Sequence, residues 1–210
     1  GVAMREKLLD NQRRFYMEAG ELADKHAVKA YVFTEPDDNA RLSEFIRILL
    51  GHQIRIYQLT KDISRNGITF RTGSSYIVPL KQNEYRFIRS LFDPVKEFTD
   101  STFYDISTWV LPMSFNIQYT PLTGLKEVEN LKGEEIQEPP VATGKITGNE
   151  NPYAYLFEWN EYLAPSALYE LQNAGIRTRV AMGKFSFRNN ELDHTFTHGT
   201  IMIHTEDQPV

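Results

Sequence analysis

Cysteine is absent from all 210 residues. Disulfide frameworks, cysteine nucleophiles and thiolate zinc sites are therefore excluded, while the redox compartment stays open. Long apolar runs are missing too. Trp109-Val110-Leu111-Pro112-Met113 is among the longest, far below the roughly 20 residues that span a bilayer. No Lys/Arg run occurs, and 23 basic against 28 acidic residues give a formal net charge of −5. The electrostatic footprint of a nucleic-acid or anionic-membrane binder is missing. Glycine is lacking where a phosphate cradle would need it. Thr34-Glu35-Pro36-Asp37-Asp38-Asn39 and Glu158-Trp159-Asn160-Glu161-Tyr162 are acidic and glycine-free, which disfavours dinucleotides. There is no His-Glu-x-x-His or His-x-x-Glu pair and no Gly-x-Ser-x-Gly elbow, so neither zinc-hydrolase nor serine-hydrolase chemistry has its starting motif.

What is present is ordinary for a globular chain: 41% hydrophobic and 24% charged residues in 24.3 kDa, enough to bury a core without staples. Gly1 stands where an initiator Met would, and Arg5-Glu6-Lys7 follow, so the expectation is an excised piece whose start says nothing of targeting. Residues 4 to about 25 read as one helix with loosely spaced apolar residues: Leu8, Phe15, Met17, Ala19 and Leu22. Such spacing predicts a helix packed partly on something outside the chain.

From Val28 the pattern becomes α/β. Ala30-Tyr31-Val32-Phe33 is a buried-strand run, and Pro36-Asp37-Asp38-Asn39 ends in good N-cap residues. Leu42, Phe45, Ile46 and Leu49 then fall at i, i+3, i+4 and i+7, with Gly51 placed to close the helix. Ile54-Arg55-Ile56-Tyr57-Gln58-Leu59 alternates as a strand. The expectation is a βαβ unit with parallel strands and a right-handed crossover. Asn66-Gly67 signals a type I′ hairpin between Ile63 and Ile68-Thr69-Phe70. Ser75-Tyr76-Ile77-Val78-Pro79-Leu80 is a third core strand, and Phe87, Ile88, Leu91 and Phe92 mark a helix stopped at Asp93-Pro94.

The second half echoes the first. Tyr153-Ala154-Tyr155-Leu156-Phe157 repeats Lys29-Ala30-Tyr31-Val32-Phe33, and Ile176-Arg177-Thr178-Arg179-Val180 repeats Ile54-Arg55-Ile56-Tyr57. The helix between carries Ala164, Ala167, Leu168 and Leu171, with Pro165 suited to its first turn and Gly175 to its end. His194 to Ile203 tracks Ile68 to Ile77. An offset so nearly constant predicts an internal duplication. The expected fold class is α/β, with two related βαβ-plus-hairpin units resembling Rossmann-like or flavodoxin-like halves and an N-terminal helix. The expected divisions are 1–27 for an interdomain helix, 28–120 for the first unit, 121–152 for a Glu/Pro/Gly-rich linker or long excursion, and 153–210 for the second unit.

Few residues suggest chemistry. His194, His198 and His204 share one face of an unbroken strand and could hold zinc, but ten residues of strand span about 33 Å and Gly199 breaks it. Gly73-Ser74-Ser75 reads as a polar turn, and Asp37 with Asp38, or Asp105 near Glu97, as solvated carboxylates. Tyr104 to Pro112 packs two aromatics and a Pro into nine residues. Its Trp109 reads as a buried staple, or else as part of an aromatic ligand surface. No residue is assigned a catalytic, cofactor or metal role.

The order of Ala30-Tyr31-Val32-Phe33, the 39–51 helix, Ile54 to Leu59, Gly73-x-x-Tyr76-Ile77-Val78-Pro79-Leu80 and Tyr104-Asp105-x-Ser107-x-Trp109-x-Leu111-Pro112 resembles the region downstream of the catalytic domain in large bacterial zinc carboxypeptidase-family proteins of the Bacteroidetes type. The resemblance covers about residues 26 to 205 and carries over no zinc ligand and no catalytic glutamate. It implies a non-catalytic accessory module of an exported metallopeptidase, periplasmic or extracellular. The upstream peptidase domain would be its partner and would hold the zinc, and a homo-oligomer is possible. The alternatives are an independent small-ligand or peptide-binding module, or a degenerate amidotransferase-like domain that lacks the cysteine such an enzyme uses.

Overall fold

The computed structural model describes residues 4–94, 110–188, 193–206 and 208. The chain is mixed α/β with an N-terminal helix and divides into two units, Gly1–Val141 and Ala142–Val210.

The first unit is built on β1 (Ala30–Thr34), β2 (Tyr57–Leu59), β5 (Ser75–Pro79), β6 (Gln118–Leu122) and β7 (Lys132–Glu135), in the order β6-β1-β5-β2-β7. Every neighbouring pair is antiparallel. The expected parallel βαβ pairing is thus corrected. Because β1 and β2 both run against β5, they share a direction, yet β5 lies between them. Helix α2 (Asn39–Gly51) still joins two strands of like direction, in a split β-α-β arrangement. The physical reason lies in burial: β1 is buried throughout and β5 over its first four residues, so the two most apolar strands pair at the centre, while the shorter, wetter β2 is displaced outward.

Strand alternation divides the apolar residues between two faces. Tyr31, Phe33, Tyr76 and Val78 pack with Leu42, Phe45, Ile46 and Leu49 of α2, with Ile88 and Phe92 of α3 (Tyr85–Phe92), and with Ala19 and Ala23 of α1 (Arg5–Lys25). On the other face Ala30, Val32 and Ile77 meet Leu122, Phe70 and the Val128 and Leu131 side chains of α5 (Leu125–Leu131). Phe70 belongs to the β3 (Ile63–Arg65)–β4 (Ile68–Phe70) hairpin, whose Asn66 and Gly67 adopt the positive φ values of 53° and 79° that the turn demands. Asp38 is the N-cap of α2 and accepts from the Arg41 N–H at 2.8 Å. Gly51 lies inside α2, and the left-handed residue after the helix is Gln53, at φ 62°.

Of the stretch expected as a linker or long excursion, 121–152, residues 121–135 instead complete β6 and supply α5 and β7, while 136–152 carry no helix or strand and hold the division between the units. Glu127, Glu129, Glu134 and Glu135 belong to that helix and edge strand, which read as loop by composition. β7 lies so close that a Cβ on Gly133 would fall 2.9 Å from the Gln58 carbonyl oxygen, a spacing only glycine allows. Residues 104–109 of the Trp-containing arm, and the pair Asp105 and Glu97, lie outside the described residues. The arm resumes at Val110 and α4 (Leu111–Ser114), where Val110 and Pro112 are buried.

The second unit contains β8 (Ala154–Phe157), α6 (Ala164–Asn173), β9 (Arg179–Val180), the hairpin strands β10 (Phe185–Arg188) and β11 (Asp193–Phe196), and β12 (Ile201–His204). Its sheet order, β8-β12-β9, with β12 antiparallel to both neighbours, reproduces β1-β5-β2. The local bonds repeat as well. Ile54 N–H donates to Leu49 O and Ile176 N–H to Leu171 O, and Gly175, at φ 75°, stands where Gln53 does. The Gln82 amide clamps Arg55, accepting from its N–H at 2.8 Å and donating to its C=O at 3.3 Å. Gln208 does the same to Arg177, at 2.8 and 3.2 Å.

Candidate functional site

Helix α1 carries apolar side chains that its own unit leaves exposed. At 100° per residue, Leu8, Leu9, Phe15 and Tyr16 fall within one stripe of about 120°. Ala19 and Ala23 continue that stripe and are buried on the first unit, while the four N-terminal side chains are exposed. Leu8 is 61% exposed and Met17, off the stripe, 63%. The helix is nevertheless held firmly at its C-terminal half. The Arg86 guanidinium lies 4.3 Å from the Phe15 ring centre, donates to the Phe15 carbonyl at 2.7 Å and pairs with Glu18 at 3.2 Å. Lys81 pairs with Asp24 at 2.8 Å, and Lys29 Nζ donates to the Asp24 and His26 carbonyls, satisfying the last turn. The N-terminal half of the anchored helix thus carries an exposed apolar stripe.

The polar clusters are structural in their bonding. In the β1–α2 loop, buried Glu35 accepts from the Asp37 N–H at 3.2 Å, and Arg41 approaches both Glu35 at 4.0 Å and Asp38 at 3.4 Å. Burial pushes the Glu35 carboxyl above its ordinary range, against the opposing pull of the Asp37 N–H and Arg41. At the end of α3, Asp93 accepts from the Tyr31 hydroxyl and from Arg89 Nε at 2.5 Å, while Tyr31 stacks on Phe92. Burial raises the Asp93 carboxyl too. Both carboxylates are thus held by hydrogen bonds and ion pairs to neighbouring residues of their own unit.

The histidines are not brought together. His194 is in β11, with Glu158 Oε2 at 3.4 Å. His198 follows in the turn, and His204 is in β12 against the Tyr153 ring. Gly199, at φ 89°, divides the segment into two separate sheets. Among the described residues no three His, Asp or Glu side chains converge as a metal site. Gly73, at φ 81°, makes the turn before β5, where the buried Ser75 hydroxyl has no partner among the described residues. Trp159 is half exposed, its Cβ packed where a side chain on Gly199 would go. In the second unit an open groove of about 440 Å³ runs between Glu150, Tyr153, Tyr155 and Glu206. It has the volume of a ligand site without the enclosure. Sequence reasoning found the α1 surface through loose apolar spacing, but missed the Arg86 anchor, which no motif marks.

No family model matches this sequence, and neither a curated protein nor a solved structure matches it. Among the described residues no helix is long and apolar enough to cross a membrane.

Proposed function

We propose that this chain is a non-catalytic accessory module of an exported, zinc-carboxypeptidase-like protein, whose α1 stripe packs on the peptidase domain that precedes it. One observation carries the reading: the stripe that buries Ala19 and Ala23 continues through Leu8, Leu9, Phe15 and Tyr16, which stay exposed although the Arg86 guanidinium lies over the Phe15 ring. The repeated strand order and the twin glutamine clamps support a duplicated unit serving as a buttress. In this reading the zinc and the reacting groups belong to the upstream domain, and this chain supplies no catalytic residue.

Sequencing the encoding gene upstream of residue 1 tests the parentage. A peptidase domain with zinc ligands is expected there, and a frame without one overturns it. The surface is tested by light scattering on the 210-residue chain against a Leu8→Glu, Phe15→Glu variant. Concentration-dependent association should vanish in the variant, since uncovered apolar stripes associate. Equal monomeric behaviour of both would remove the argument for a covered stripe.

A further inference from the structure

The repeat leaves one seat filled in the first unit and open in the second. The Leu80 N–H donates to the Lys29 carbonyl at 2.8 Å, as the Thr205 N–H does to the Tyr153 carbonyl at 3.1 Å. Phe33 stands opposite Tyr76, as Phe157 stands opposite Ile201. Lys29, Tyr31, Leu80 and Lys81 therefore correspond to Tyr153, Tyr155, Thr205 and Glu206. In the first unit a polypeptide segment, the end of α1, covers this place. Lys29 Nζ donates to the Asp24 and His26 carbonyls, and Lys81 pairs with Asp24 at 2.8 Å. Tyr31 and Leu80 are buried in the cluster that holds Ala19 and Ala23.

In the second unit residues 136–152 lead into β8 without a helix, and Tyr155 is 39% exposed where Tyr31 is 2%. What lies there is the open groove of about 440 Å³ between Glu150, Tyr153, Tyr155 and Glu206. Tyr153 and Tyr155, two residues apart along one strand line, turn their rings to the same side. The Tyr153 ring stands edge-on to His204 at 4.2 Å. Thr205 Oγ1, donating to the Pro152 and Tyr153 carbonyls at 3.0 Å, ties the groove's two walls together.

The repeat also inverts the charge of the seat. Two lysines grip an acidic helix end in the first unit. Their counterparts are a tyrosine and a glutamate, and Glu150 adds a second carboxylate. No Lys or Arg lines the groove, and among the described residues neither carboxylate has a hydrogen bond or ion pair. Tyrosine faces and carboxylates together suit a guanidinium, which stacks on rings and forks to oxygen.

We propose that this groove binds an arginine side chain of a partner polypeptide, seated where α1 lies in the first unit. The stem crosses Tyr153 and Tyr155, and Glu150 and Glu206 take the guanidinium. The site is distinct from the α1 stripe, and its test does not depend on that reading.

The probe is the capped peptide acetyl-Ala-Ala-Arg-Ala-Ala-amide, titrated into the ¹⁵N-labelled 210-residue chain. Saturable amide shifts are expected at residues 150–155 and 204–206. The same peptide with citrulline, of nearly the same shape but uncharged, should bind about tenfold more weakly. Glu206→Gln and Glu150→Gln should each weaken the arginine peptide about threefold. Both side chains are exposed, so the exchanges leave packing intact, and the double variant should bind the two peptides nearly equally. Absence of saturable shifts, shifts spread over the acidic surface instead of the groove, or equal affinity of the parent chain for both peptides would each overturn the proposal.

Discussion

The two units begin from the same plan and end differently. Each has a helix joining two strands of like direction, a third strand inserted between them, a hairpin on the way, and a glutamine amide clamping an arginine backbone. The first unit then adds α3, α4, β6, α5 and β7, and Phe33, Phe45, Phe70, Ile77 and Leu131 become fully buried. In the second unit Tyr155, Trp159, Tyr169, Val180 and Phe187 stay exposed, and among the described residues its buried hydrophobics are few: Ala164, Phe196 and Ile201. A split β-α-β with a hairpin therefore sets the chain's course but leaves both sheet faces thinly covered. Burial comes from the elements laid over it.

The comparison breaks most visibly at a matched pair of phenylalanines. Phe70 in β4 and Phe196 in β11 end corresponding hairpins. Phe70 is fully buried beneath α5, whereas Phe196 is stacked on Phe185 at 5.1 Å and only just enclosed. Phe70→Ala should cost about 3–5 kcal/mol, as for a large aromatic deleted from a closed core. Phe196→Ala should cost about 1–2 kcal/mol, because solvent can fill what it leaves. Urea unfolding of each variant measures both. Equal losses would mean that the second core is as closed as the first.

A smaller contrast lies in the clamps. Gln82 is buried and also donates to the Pro79 carbonyl at 2.7 Å, while Gln208, half-buried, donates to the His204 carbonyl at 2.6 Å. Gln82→Ala leaves the Arg55 N–H and C=O without a partner in a shielded place, so about 1–3 kcal/mol should be lost. Gln208→Ala lets water reach the Arg177 backbone, and about 1 kcal/mol or less is expected. Thermal denaturation that ranks the two the other way would contradict the difference in closure.

Much of the first unit's centre is legible in the sequence, and its rim is not. The α2 stripe of Leu42, Phe45, Ile46 and Leu49, the Asp38 cap, the Asn66-Gly67 turn and the offset of the repeat are local patterns, and local patterns survive into the fold. Strand neighbours are a tertiary matter. A helix between two strands suggests that they pair, and nothing in residues 30–59 announces that residues 75–79 will come between them. β7 is hidden for another reason: an edge strand needs only backbone pairing and one close glycine, and Lys132-Gly133-Glu134-Glu135 reads as solvated loop. For the candidate surface, the excess of apolar residues on α1 is visible beforehand. Which of them are covered depends on where Arg86 and Lys81 grip the helix.

The finest contrast concerns two hydroxyls. Ser75 and Thr200 each stand one residue before the central-strand position opposite a phenylalanine: Tyr76 faces Phe33, and Ile201 faces Phe157. Both are buried. Thr200 Oγ1 donates to the Thr197 carbonyl at 2.7 Å, closing the 197–200 turn that contains Gly199, while Ser75 Oγ has no partner among the described residues. A buried hydroxyl without a bond has lost its water and gained nothing in return. Ser75→Ala should therefore leave stability unchanged or raise it by up to about 1 kcal/mol, whereas Thr200→Val, of nearly the same shape, should lose about 1 kcal/mol with its bond. The opposite signs matter more than the sizes, because both substitutions remove one buried oxygen from the same place in a repeated plan. A Ser75→Ala variant that melts well below the parent chain would show that the Ser75 hydroxyl has a partner after all.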